Sequence, residues 1–104
     1  MDNSNLAVAC SLAEPELQER RSKVLKQIGT AVLEIKELKR GYAYRFDFDE
    51  ALLPDLVNLI NFEHRCCPFL RLSLNVEPGS GPIWLELSGP EGTKEFLVSI
   101  FNQD

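Results

Sequence analysis

Gly41-Tyr42-Ala43-Tyr44-Arg45-Phe46-Asp47-Phe48-Asp49, residues 41–49, is the stretch whose reading decides the fold. Tyr42, Tyr44, Phe46 and Phe48 alternate with Ala43, Arg45 and Asp47 at the period of two that sends successive side chains to opposite faces of a sheet. One face of this strand is wholly aromatic. A flat ligand could stack on such a row, but regular alternation is the ordinary signature of a sheet's core side. Before it, Lys39-Arg40-Gly41 reads as a hairpin turn, and Ala31 to Leu38, with Val32, Leu33 and Ile35, as the preceding strand. After it, Asp49 is placed to cap a helix carrying Leu52, Leu53, Leu56, Val57, Leu59 and Ile60, which Pro68 ends. Pro54 lies late for a first turn, which predicts a kink or a delayed start.

Further out, Glu14-Pro15-Glu16 suits a first helical turn, and Leu17, Val24, Leu25 and Ile28 continue at helical spacing up to a stop at Gly29. On the other side, Leu70, Leu72, Leu74 and Val76 alternate as a third strand. Pro78-Gly79-Ser80-Gly81-Pro82 turns the chain, and Ile83, Leu85 and Leu87 form a fourth strand. A last helix begins near Pro90 and buries Phe96, Leu97, Ile100 and Phe101. The order αββαββα predicts an α+β fold of two layers, a four-stranded, mostly antiparallel sheet with helices on one face. Two ββα units superpose at a shift of 40 residues, pairing Gly41 with Gly81, Tyr44 with Trp84 and Leu56 with Phe96. A tandem repeat of this kind makes the second helix the central element.

The chain has 104 residues, which predicts one domain, with residues 1–10 as a tail and 11–102 as the folded core. Sixteen acidic against eleven basic side chains give a net charge of −5, which repels phosphate backbones and argues against direct nucleic-acid binding. No apolar run is long enough to span a bilayer, and Met1-Asp2-Asn3-Ser4-Asn5 lacks the positive charge of a secretory signal. A cytoplasmic location follows as the expectation, and with it three free thiols. No Ser-His-acid scheme is visible around the single histidine, and the glycines near Ser80 lack the Lys-Ser or Lys-Thr of a phosphate-binding loop. The sequence does not mark an enzyme.

Chemistry concentrates in Glu63-His64-Arg65-Cys66-Cys67-Pro68-Phe69, which holds the only histidine and two of the three cysteines. At about 100° per residue, Glu63 and Cys67 fall inside the apolar arc of the second helix, with His64 toward one side, Cys66 toward the other and Arg65 pointing away. A carboxylate on a core-facing stripe must be neutralised, hydrogen-bonded or ligated. One neutralising partner is Arg21, on the inward side of the first helix between Leu17 and Val24. Adjacent cysteines rarely bridge each other, because neighbouring Cα atoms lie closer than an ordinary disulfide wants. Cys10, ahead of the first helix, is therefore the third sulfur to consider. A Cys10, Cys66, Cys67 set with Glu63 or His64 supplies three or four ligands for zinc or another thiophilic metal ion. The C-terminal end of a helix favours a cation over a free thiolate, which ranks metal binding above thiol catalysis. The plain alternative is that the cysteines fill core space.

The Glu63-to-Phe69 run, with Cys10-Ser11-Leu12 ahead of a charged helix, resembles a family of small uncharacterised bacterial proteins and domains that carry a Glu-x-x-Cys-Cys-Pro-Phe segment. Related domains occur as C-terminal appendages of heavy-metal-responsive regulators of the mercury-resistance-regulator (MerR) class. The resemblance implies a heavy-metal context and matching roles for Cys10, Glu63, Cys66 and Cys67, but no reaction, and the chain contains no DNA-binding module of its own. The reading that results is metal sensing, buffering or delivery, with the metal ion as partner and a homodimer or a regulatory protein as the further expectation. A thiol-redox protein, in which Cys10 and one of the pair shuttle between thiol and disulfide, and a homodimeric interaction module with inert buried cysteines are the alternatives.

Overall fold

A computed structural model describes residues 15–79 and 81–100 and has the expected α+β architecture. Three helices, α1 (Pro15–Gly29), α2 (Leu52–Cys66) and α3 (Thr93–Ile100), alternate with two hairpins made of β1 (Glu34–Leu38), β2 (Gly41–Phe46), β3 (Arg71–Val76) and β4 (Ile83–Ser88). The four strands form one sheet in the order β1-β2-β4-β3, antiparallel at each pairing. Each hairpin thus contributes one central and one edge strand.

The register sorts the side chains onto two faces. Tyr42, Tyr44 and Phe46 stand opposite Leu87, Leu85 and Ile83, and β3 sets Leu72, Leu74 and Val76 beside the same three residues. This face meets Ile28, Leu56, Leu59 and Leu97 of the helices in a single core cluster. Burying each such side chain stabilises by roughly 1.5–3 kcal/mol. Trp84 and Glu86 point to the other face, where the Lys36 ammonium lies 5.3 Å from the Trp84 ring centroid. A repeat shift of 40 is therefore corrected: it sets Tyr44, on the helix side, against Trp84, on the opposite side. Matching faces requires an odd shift, such as the 41 that carries Tyr44 to Leu85.

Helix α2 begins at Leu52, so Pro54 is its third residue, where the missing N–H costs no intrahelical bond. No kink is needed. Asp49 is not the cap but lies two residues ahead of it: the N-cap is Ala51, whose N–H the Asp49 Oδ1 accepts at 2.8 Å, and the Asp49 carbonyl accepts those of Leu52 and Leu53. The first strand is shorter than predicted, because Ala31 and Val32 donate back to Ile28 and Gly29 at the end of α1. The last helix starts at Thr93 rather than Pro90, whose carbonyl accepts both the Thr93 N–H and its hydroxyl. Phe101 lies outside the described residues.

Candidate functional site

Leu52, Leu56, Leu59, Glu63 and Cys66 recur at intervals of four, three, four and three along α2, which keeps them on one helix face. On α1 the same geometry lines up Arg21, Val24, Leu25 and Ile28. The two helices pack together, and this brings the only charged member of each stripe into contact. Arg21 Nη2 donates to Glu63 Oε1 at 2.9 Å while Nε donates to Oε2, a two-point fork on a carboxylate with no solvent exposure. The inward carboxylate is thereby neutralised by the partner the sequence offered. Burial alone would lower the Arg21 pKa, but the Glu63 contact outweighs it and raises the value.

Cys66 and Cys67 are likewise fully buried. Their Sγ atoms lie 3.5 Å apart, a van der Waals contact rather than a bond, and the Cys67 Sγ is 3.8 Å from Glu63 Oε1. Cys67 ends the helix with φ −126° and ψ 74°, the extended tendency that Pro68 imposes on the residue before it. Its N–H still reaches the Glu63 carbonyl at 2.7 Å, so the side chain stays on the inward face. His64 and Arg65 lie on the exposed side. Among the described residues no group of three or more His, Cys, Asp or Glu side chains is arranged to hold a metal ion.

The expectation of three free thiols is corrected. Cys66 is disulfide-bonded, while Cys67 is a free, buried thiol. Cys10 lies outside the described residues. The default of three free thiols missed the bond, which the sequence reading held only in its redox alternative, because pairing depends on distances between elements that spacing along the chain does not give.

Burial pushes the Cys67 thiol up to about 12, the Glu63 carboxylate adds to the rise, and the Arg21 guanidinium opposes it. The resting thiol is therefore protonated, as expected at the negative end of a helix. Two results follow. At pH 8, alkylation of Cys67 in the folded protein should be slower than in the unfolded chain by on the order of a thousandfold, the ratio of thiolate populations. Because the folded state holds this proton above the pH at which the unfolded chain releases it, stability should fall as pH rises from about 9 to about 12. Iodoacetamide kinetics with and without denaturant, and urea melts across that range, check both.

Comparison with protein-family models, with curated proteins and with solved structures finds no match.

Proposed function

We propose that the chain is a thiol–disulfide module in which Cys66 changes between bonded and reduced forms beside the protected Cys67 thiol. The observation that carries this reading is a free sulfur 3.5 Å from a disulfide sulfur at the inner end of α2. The chain has three cysteines. With Cys67 free, counting within one chain makes Cys10 the partner we propose for Cys66. A dithiol reductant would cleave that bond by exchange, transferring two electrons and two protons: two cysteine thiols form, and the reductant becomes a disulfide. The high pKa of Cys67 keeps it from attacking the neighbouring disulfide while the protein rests.

Thiophilic metal binding is the second reading, and it belongs to the reduced form. A sulfur separation of 3.5 Å is close to the roughly 3.8 Å edge of a tetrahedron with Zn–S bonds of about 2.3 Å. In this reading Glu63, already forked by Arg21, orients the sulfurs, and exposed His64 stands apart from the ligand set.

Equilibration in thiol–disulfide buffers, quenching by acid, alkylation in denaturant and peptide mass mapping test the redox reading. We expect a Cys10–Cys66 bond at oxidising poise and three alkylated thiols at a cytosolic poise of about −280 mV. A bond that survives that poise is structural, and one that never forms removes the switch; either result defeats the proposal. Reduced protein should take up about one equivalent of Zn²⁺ or Hg²⁺ and lose it in C66S/C67S; unchanged uptake in that variant defeats the metal reading.

A further inference from the structure

Among the described residues the sheet has two unpaired edges, and β1 is the one whose chemistry fits a second copy of this chain. An edge strand presents unpaired backbone N–H and C=O groups to any strand that can align with it. Ile35, the partner of Tyr44, lies on the helix side of the sheet yet remains 45% exposed, and Leu33, just ahead of the strand, is 52% exposed. On the opposite face, Glu34 and Lys36 are also exposed. Within β1 the helix-side face carries Ile35 and Glu37, and the other carries Glu34, Lys36 and Leu38, so both signs of charge stand side by side along the edge.

Two copies of one strand joined antiparallel about a two-fold axis perpendicular to the sheet must place some residue opposite itself, because other alignments would set inward side chains against outward ones. Centring that axis on Glu34, Lys36 or Glu37 opposes like charges. Centring it on Ile35 places Ile35 against Ile35 and Glu34 against Lys36 in two equivalent ion pairs. The Arg45 Nε that donates to Glu34 Oε1 at 2.8 Å extends each pair into a row of three alternating charges. At β3, self-pairing about Ser73 opposes Leu72 with Leu74 and Arg71 with Asn75, leaving no opposed charges. Leu72 and Leu74 are already half-buried by the protein's own core.

We propose that the chain forms a two-fold homodimer by antiparallel pairing of β1 with β1, centred on Ile35, giving a continuous eight-stranded sheet. The alternation of Glu34, Ile35 and Lys36 makes the strand complementary to its own inverse.

Sedimentation equilibrium of the full chain under reducing conditions, which removes intermolecular disulfides, tests the pairing. The wild type should dimerise, and both Ile35→Lys and Lys36→Glu should weaken association by about tenfold or more, since each sets like charges opposite one another across the axis. Glu34→Lys combined with Lys36→Glu restores opposite charges across the axis and should return the dissociation constant to within about threefold of wild type; the lost Arg45 pair is exposed and worth at most about 1 kcal/mol. Far-UV circular dichroism identifies any variant that has lost its fold. A wild type that stays monomeric to about 1 mM, beyond which affinity is marginal, overturns the proposal. So does a dimer that survives Ile35→Lys, which would point to β3 or another surface, and so does a double variant no better than Lys36→Glu alone.

Discussion

Arg21→Met should destabilise the protein by about 3–5 kcal/mol, the cost of leaving a buried carboxylate without its counter-charge. Glu63 has no solvent exposure, and its oxygens are held by two Arg21 nitrogens and approached otherwise by the weak Cys67 thiol donor. Water cannot replace the guanidinium without opening the α1–α2 contact. For a domain of this size, whose total stability is about 5–15 kcal/mol, such a loss should lower Tm by well over 10 °C. The informative control is Arg21→Met combined with Glu63→Leu. A buried ion pair is often no more stabilising than apolar residues of similar volume, so the double variant should recover most of the loss. Urea denaturation of the wild type, Arg21→Met, Glu63→Leu and the double variant gives the coupling directly. If the double variant remains as unstable as the single, the pair contributes through packing rather than charge.

Recovery of stability would also separate structure from function at this end of α2. The fork touches the Cys67 thiol, so its removal should change thiol chemistry even where stability returns. Without the carboxylate, which raises the Cys67 pKa, and without the guanidinium, which lowers it, burial alone would set the value. An unchanged alkylation rate for Cys67 in the double variant would mean that desolvation dominates.

The inward placement of Glu63 was legible because rotation by 100° per residue extrapolates well along a continuous helix, and Arg21 was legible from its place on the α1 stripe. Tyr42, Tyr44 and Phe46 were similarly plain. Phe48 continues the same alternation but is 41% exposed, because β2 and its pairing with β4 end at Phe46. Periodicity in residue type cannot show where a partner strand stops. The limits of β1 were obscured for a related reason: the ends of α1 capture the N–H groups of Ala31 and Val32, a competition between turn and ladder that their apolar side chains do not reveal. The Cys66 disulfide appears in the sequence reading only within an alternative, a bond between Cys10 and one of the pair. Local spacing carries no signal for it beyond the odd cysteine count, which allows one bond and leaves one thiol.

Gly41 carries the other large prediction, since the sequence marks it as part of a turn while the structure makes it the first residue of a central strand. It pairs with Leu38 in β1 and Ser88 in β4. A Cβ here would lie 1.8 Å from the Leu87 carbonyl oxygen and 2.7 Å from the Ser88 Cα. Both obstacles are backbone, so no side-chain rotation relieves the clash; β2 and β4 must separate at this end or break their register. The φ angle is not in the left-handed region, so the requirement is for space rather than for glycine's conformational freedom. Gly41→Ala should therefore cost at or above the roughly 3 kcal/mol upper end of ordinary overpacking. Gly29→Ala supplies the contrast: nothing lies within 4 Å of its Cβ position and its φ is ordinary, so this helix-end substitution should be neutral or stabilising by up to about 1 kcal/mol. Equal effects at the two positions in urea melts would show that β2 and β4 separate enough to admit a methyl group, and that their close approach at Gly41 contributes little to the fold.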